Sequence, residues 1–346
     1  MECFSLFCFT LCANISMLYG QFLSPRDSVR MYYHHTLIAE QKIMDDQIDS
    51  SLWNYNEASK YHKPFMADAY NGLVASIKVK DTKSSLRYID ILVSKGISPE
   101  FFIKDGLFND ITTSYAFVDF WEKEPEYNEE LYYAITELYH LDQKVRKVPD
   151  PLSDSTMYKT DLYIGKEIDS LFALYGYLSE DMVSVFQEDP TKLPLGFGGD
   201  LAIILIHQVK MNPHKYKRFF EDAVLDGKMK NTALAMQAVN FGFDSTYLFK
   251  CFYFGIGDIL RVGDRYFTCG KELESLIDHN RERVYLPPLS HTIRINNFKF
   301  KNTPFLLYTN SMYRDNLTSQ ESIDKLVKEV TEQGYIEISL DDEKRR

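Results

Sequence analysis

Cysteine is scarce in this chain, which has five cysteines among 346 residues, three of them near the N-terminus. No Cys-x-x-Cys pair occurs, so the spacing of a zinc ribbon or a dithiol redox site is missing. The cysteine content is also far below that of a disulfide-rich mini-protein. The fold therefore depends on an ordinary hydrophobic core.

Long basic runs and long apolar runs are also missing. The chain has 39 lysines and arginines against 50 aspartates and glutamates, a net charge of -11, which argues against nucleic acid as a partner. Beyond the first 20 positions no apolar run approaches the roughly 20 residues of a membrane span. A composition that is 45% hydrophobic and 26% charged is typical of a globular chain of about two domains.

The signature motifs of enzymes and cofactor sites are absent as well. The sequence contains no His-Glu-x-x-His, Gly-x-Ser-x-Gly, P-loop or calcium-loop motif. The adjacent pair His34-His35 does not suggest a metal site, because neighbouring positions on a helix point about 100° apart. We therefore predict no cofactor and no metal, and the question of catalysis stays open.

The longest apolar stretch of the chain lies at its N-terminus. Residues 1–20 have the length and character of a cleaved signal peptide ending at Gly20, and the Tyr-Gly-Gln junction resembles leaders of Gram-negative Bacteroidetes bacteria. The alternative is a hydrophobic first helix packed on the core. A signal peptide predicts a periplasmic or secreted protein that keeps only Cys251 and Cys269. These two either form a disulfide or stay as buried apolar thiols.

Residues 26–99 contain two copies of a pattern offset by about 34 positions, the length of a tetratricopeptide repeat. Each copy has two stretches of helical period separated by a polar break, at residues 45–47 and 80–82. The pattern predicts two helix pairs of the kind that stack in α-solenoids. The apolar positions correspond as follows: Met31 with Phe65, Tyr32 with Met66, Ala39 with Leu73, Ile43 with Ile77, Leu52 with Leu86, Tyr55 with Ile89 and Ala58 with Leu92.

Two repeats are fewer than a free-standing solenoid needs, so we expect this unit to pack on the rest of the chain. A stripe of Trp53, Tyr55, Tyr61 and Tyr88 lines either a ligand groove or the interhelical core. Residues 101–121 continue the helical character as one further unit. Repeats of this type bind protein or peptide partners.

The rest of the chain is also mainly helical in pattern. Helices are predicted over residues 129–146, 161–175, 201–210 and 319–333. Alternating apolar positions at Ile293, Ile295, Phe298 and Phe300 predict short strands, and residues 335–340 predict another. The sequence thus predicts a mainly α fold divided into a signal peptide (1–20), a repeat region (21–125), a helical domain (126–290) and a segment of short strands and one helix (291–346).

The helical domain contains, in order, the strings Asp142-Gln143-Lys144-Val145-Arg146, Ile206-His207-Gln208-Val209 and Tyr266-Phe267-Thr268-Cys269. These strings resemble those of an uncharacterised bacterial domain-of-unknown-function family that follows tetratricopeptide-like repeats. Members carry Asp-Gln-x-x-Arg, Gln-His-Ala-Asp and Tyr-Gly-Thr-Gln strings. The chain departs from this pattern at Ile206, Val209 and Cys269. The resemblance implies a helical fold and a set of site candidates, and no reaction. The matching residues are Asp142, Gln143, Arg146, His207, Tyr266, Thr268 and Arg281.

These candidates have simpler interpretations too. Asp142 and Arg146 are at i, i+4 spacing and can form an ordinary salt bridge. His207 follows an apolar run, where it serves either as a buried core group or as a base or ligand. We favour an exported helical scaffold that binds a protein or peptide through the repeats. The alternative is an enzyme or small-ligand binder whose polar residues converge in one pocket.

Overall fold

The computed structural model is mainly α-helical, which confirms the predicted fold class. No helix within the described ranges has the length and apolar content to cross a membrane. The predicted leader, residues 1–20, lies outside those ranges. The structure describes residues 23–146, 154–185, 199–238, 241, 244–249, 259–299, 303–307, 311–313 and 319–338.

The two predicted helix pairs are present at the N-terminus. They comprise α1 (Pro25–Met44), α2 (Ile48–Ala58), α3 (Met66–Lys78) and α4 (Thr82–Ser94). The Ser24 side chain caps α1 by accepting from the backbone N–H of Asp27, and Asp81 caps α4 in the same way. Within each pair the polar break contains a residue with positive φ, Asp46 or Lys80, which turns the chain back. The polar breaks of the sequence therefore correspond to the turns.

The chain after α4 is less regular than predicted. Gly96, with φ of +94°, follows the end of α4, as expected of a helix C′ glycine. Residues 101–121 do not form one helical unit. They divide into the short helices α5 (Pro99–Lys104) and α6 (Asn109–Thr112) and two 3₁₀ segments (Gly106–Phe108 and Tyr115–Trp121).

The remaining helices build the larger part of the molecule. The helix predicted over residues 129–146 is confirmed with those bounds. In chain order they are α7 (Glu129–Arg146), α8 (Asp154–Tyr175), α9 (Glu180–Val183), α10 (Gly199–Met211), α11 (Pro213–Leu225), α12 (Asn231–Ala238), α13 (Lys271–Arg283), α14 (Leu289–Lys299) and α15 (Gln320–Glu332), with a 3₁₀ turn at Ser245–Tyr247.

The prediction of strands at Ile293, Ile295 and Phe298 is wrong, because Leu289–Lys299 is the helix α14, and Phe300 lies outside the described residues. Its buried positions are Leu289, His291, Thr292, Ile295 and Asn296, which recur at helical spacing. Three of these five are polar, so hydrophobicity alone showed only part of the helical face. Burial of this face stabilises a helix here in place of the predicted strands.

Four short strands form one sheet instead. They are β1 (Ile259–Val262), β2 (Arg265–Cys269), β3 (Ser311–Tyr313) and β4 (Tyr335–Ile338), in the order β3-β1-β2-β4. A turn at Gly263, with φ of +61°, joins β1 to β2 as an antiparallel pair. Strand β3 is parallel to β1, and β4 is antiparallel to β2.

Three hydrophobic cores hold these elements. One core joins the first repeat to the later helices, because Tyr32, Tyr33 and Phe65 pack with residues of α7, α8 and α10–α12. The expectation that the repeats pack on the rest of the chain is thereby confirmed. A second core lies in the repeats and the short helices that follow, and it includes Tyr55 and Tyr88. Trp53, from the same aromatic stripe, is 57% exposed. The third core lies under the sheet.

Candidate functional site

Asp142 lies at the centre of a buried polar cluster. It sits near the end of α7, and its side chain has no solvent exposure. A buried carboxylate needs charged or hydrogen-bonding partners. Arg146, one helical turn later, supplies them: its Nη1 lies 2.8 Å from Asp142 Oδ1 and donates to the Asp142 carbonyl at 2.9 Å. The predicted i, i+4 ion pair is present.

Two further predicted residues contact the same carboxylate. His207 on α10 places Nδ1 at 3.0 Å from each of the two Asp142 oxygens. Gln143 donates from Nε2 to Asp142 Oδ2 at 2.9 Å. The cluster thus connects α7 to α10 through one carboxylate.

Asp161 on α8 is a cluster member that the sequence analysis missed. Arg146 Nη2 lies 2.6 Å from Asp161 Oδ1, so one guanidinium bridges two carboxylates. The backbone carbonyl of Asp161 accepts from Gln208 Nε2 at 3.0 Å. A Cβ atom at Gly165, one turn later, would lie 2.5 Å from Gln208 Oε1, so a larger residue there would push the Gln208 side chain from its present position. No short-range spacing links Asp161 to α7, and a single sequence carries no signal for it.

The arrangement gives His207 a defined orientation. A carboxylate on Nδ1 favours the tautomer with the proton on that nitrogen, which leaves the Nε2 lone pair to accept a proton or a ligand. The His207 side chain is partly exposed, whereas the carboxylate that orients it is buried. Arg146 offsets the charge of Asp142, so the same contacts are also those of a hydrogen-bonded network that only stabilises the fold.

The other three predicted candidates lie elsewhere. Thr268 is buried in strand β2, and Tyr266 of the same strand lies under the guanidinium of Arg261. Arg281 is buried on α13, where its Nη2 donates to Thr292 Oγ1 at 3.1 Å. The structure thus brings Asp142, Gln143, Arg146 and His207 together and distributes the rest over the sheet and α13.

Arg281 lines a small pocket between the repeats and the later helices. Tyr33, Glu40, Lys230 and Tyr285 are among the other lining residues. The pocket is partly open, and its cavity volume is about 30 Å³, room for roughly two water molecules. This pocket is too small for an organic ligand in the conformation described.

One of the two cysteines that follow the predicted leader lies within the described residues. Cys269 is disulfide-bonded, and Cys251 lies outside the described residues. Within the part of the chain that the structure describes, no group of three or more histidine, cysteine, aspartate or glutamate side chains is placed to hold a metal ion.

A second polar site lies in the repeats, around Asn71 on α3. Asn71 is fully buried and exchanges two hydrogen bonds with the backbone of Leu306. Its Nδ2 donates to the Leu306 carbonyl at 3.0 Å, and the Leu306 N–H donates to Oδ1 at 2.7 Å. The neighbouring side chains Phe305 and Leu307 are buried in the repeat core. We call Asn71, together with the positions that Phe305 and Leu307 fill, the Asn71 site.

The sequence analysis missed this site as well. Its one visible trace is a polar side chain inside an apolar helix, since Asn71 lies within the run from Ala69 to Ala75. A buried asparagine must find hydrogen-bond partners, but the sequence does not show that they lie on a distant backbone.

Comparison with protein-family models, with curated proteins and with solved structures finds no match to this chain.

Proposed function

We propose that this protein is a helical scaffold that binds a polypeptide partner through its N-terminal repeats. The observation that carries the proposal is the pair of hydrogen bonds between Asn71 and Leu306, because it shows how the repeats accommodate a non-helical stretch of chain. A side-chain amide that meets both the N–H and the C=O of one residue acts as the neighbouring strand of a sheet would. These hydrogen bonds recognise the backbone of the bound segment, and adjacent pockets select its side chains.

The Asn71 site combines the two ingredients of peptide recognition. Main-chain hydrogen bonds supply affinity for any extended segment, and apolar positions on either side supply specificity. Both are present at α3, where Asn71 meets Leu306 and where Phe305 and Leu307 join the repeat core. The predicted leader over residues 1–20 supports a periplasmic or secreted location for this scaffold.

A displayed library of random nine-residue peptides tests the proposal. It is panned against the full chain carrying Phe305→Ala and Leu307→Ala, which leaves the apolar positions unfilled. We expect enrichment of a peptide family that no longer binds when Asn71→Leu is added, because leucine keeps the volume and removes both hydrogen bonds. Asn109→Leu, at an exposed asparagine, is the matched control. Equal binding with and without Asn71 would contradict the proposal.

A second candidate function uses the Asp142 cluster to bind a small polar ligand or to support catalysis. Its specific support is His207, whose Nδ1 is held by the buried carboxylate of Asp142 and whose side chain is partly exposed. Thermal-shift screening of small carboxylates and phosphates against wild type and His207→Phe tests it. A compound that raises the unfolding midpoint of wild type alone supports this function. Equal shifts in both proteins, or none in either, argue against it.

A further inference from the structure

We propose that residues 303–307 are a built-in occupant of the Asn71 site. The external partner is then an extended peptide with an aromatic residue followed two positions later by an aliphatic one, and it competes with this segment. The inference rests on the proposed function and names both the partner class and its regulation.

The burial pattern of the segment defines the partner. Phe305 is 5% exposed, Leu306 is 37% exposed and Leu307 is 1% exposed. After a bend of the backbone at Pro304 and Phe305, the side chains from Phe305 to Leu307 therefore alternate between the core and solvent. Leu306 in the middle contacts Asn71 through its backbone, whereas Phe305 and Leu307 contact the core through their side chains.

The composition of the surrounding core explains why these two positions are apolar. Phe305 and Leu307 join a cluster contributed by all four repeat helices and the short helices after them. A charged side chain in either position would lose its hydration on entering this apolar cluster. The site therefore selects against charged residues on either side of the backbone contact.

The preceding helix α14 holds the occupant near the repeats. Its residue Ile295 joins the same core, and Arg294 Nη2 lies 2.8 Å from Asp45 Oδ1 at the end of α1. His291 Nε2 lies 3.1 Å from Glu40 Oε2 in a more buried setting. The Arg294 pair is partly exposed and contributes little, so the apolar contact of Ile295 and the buried contact of His291 with Glu40 hold α14 against the repeats.

Tethering gives the internal segment an advantage over a free peptide. A segment on the same chain faces the site at an effective concentration on the order of millimolar. A free peptide of equal intrinsic affinity therefore binds wild type weakly. Weakening the internal segment should raise the apparent affinity for the peptide by at least about tenfold.

Fluorescence polarisation with a labelled synthetic peptide tests this competition. The probe is Lys-Asn-Thr-Pro-Phe-Leu-Leu-Tyr-Thr, which copies residues 301–309. We expect the full chain carrying Phe305→Ala and Leu307→Ala to bind the probe at least tenfold more tightly than wild type does. Leu306→Ala, which changes only the exposed side chain, should bind as wild type does. A probe with alanine in place of its phenylalanine and second leucine should not bind.

Hydrogen exchange on wild type provides a second measurement in case the double variant fails to fold. Millimolar probe should speed deuterium uptake by residues 303–307, because a displaced Leu306 N–H loses its bond to Asn71. Unchanged uptake at saturating probe would overturn the inference, as would equal affinity of the folded double variant and wild type. A wild-type chain that dimerises by exchanging this segment would overturn the choice of an external peptide.

The two proposals fail differently. If the displayed library yields peptides that depend on Asn71 but lack the aromatic-x-aliphatic pattern, the further inference is wrong and the scaffold function stands. If no peptide binds even the double variant, both are wrong.

Discussion

His207 Nδ1 lies at the same distance, 3.0 Å, from both carboxylate oxygens of Asp142, a residue 65 positions earlier in the chain. With Arg146 and Gln143 on the same carboxylate, Asp142 joins two helices that are distant in sequence. Such a cluster makes stability depend on its central charge, whether or not it also binds a ligand.

Asp142→Ala should lower the free energy of unfolding by about 3 kcal/mol, because it removes the buried central acceptor shared by the partly buried side chains of Arg146 and His207. Urea denaturation followed by circular dichroism measures the change. The matched control is Asp264→Ala, at a fully exposed aspartate, which should leave the midpoint unchanged. Similar effects of the two substitutions would show that the cluster does not stabilise the fold.

Lys95→Met should destabilise the protein by about 3 kcal/mol or more. Lys95 is fully buried, and its Nζ lies 2.9 Å from Glu180 Oε1 and 2.5 Å from Asp181 Oδ1. Burial alone would lower the pKa of Lys95, but the two carboxylates raise it above its ordinary value. Methionine would leave Glu180 without this partner. Chemical denaturation gives the loss, and Lys328→Met, at an exposed i, i+4 pair, is the control and should cause no measurable loss.

Gly72→Ala should destabilise the repeats by about 1 to 3 kcal/mol through overpacking. A Cβ atom there would clash with the ring of Tyr88, which is fully buried on the facing helix α4. Thermal unfolding of a double-mutant cycle with Tyr88→Leu should show that the smaller side chain relieves much of the added cost. Gly106→Ala, whose Cβ would have ordinary contacts, is the control. Strictly additive effects would contradict this contact.

The stability of the protein should fall as the pH decreases below about 6.5, in part because of His62. Burial lowers the pKa of His62 from its ordinary value of 6.5. As the pH decreases, the unfolded chain therefore takes up this proton before the folded protein does. The contribution is complete above 6.5 and is lost as the pH falls through the lower folded-state value.

Urea midpoints between pH 5 and 8 measure this dependence in wild type and in His62→Phe. Phenylalanine keeps the ring stacked against Phe65 and cannot be protonated. The variant should show a shallower decline than wild type. His34→Phe, which replaces a more exposed histidine, should keep the wild-type slope.

Local periodicity was enough to predict the repeat helices, the polar breaks and helix α7, because each depends on residues within a few turns. The same reasoning gave the contact between Asp142 and Arg146. The region of α14 was predicted as strands because its buried face is completed by polar residues such as His291 and Asn296, whose burial depends on the rest of the fold.

The contacts that the sequence analysis missed in both sites join residues that are far apart in the sequence. Asp161 joins the Asp142 cluster from another helix, and Leu306 meets Asn71 from 235 positions away. Tyr266 and Arg281 were grouped with Asp142 through the order of short motifs, but that order does not specify which elements pack together. Such contacts depend on tertiary packing, which residue spacing does not encode.

The second core also imposes an order on biosynthesis. Its contributors from the repeats and the short helices after them end at Phe120, Val185 joins next, and Ile295, Phe305 and Leu307 complete it last. At ordinary synthesis rates the delay between these two parts is on the order of 10 to 40 s. The repeats therefore leave the ribosome with the Asn71 site open, and that interval is when a chaperone or an early partner has uncontested access to it.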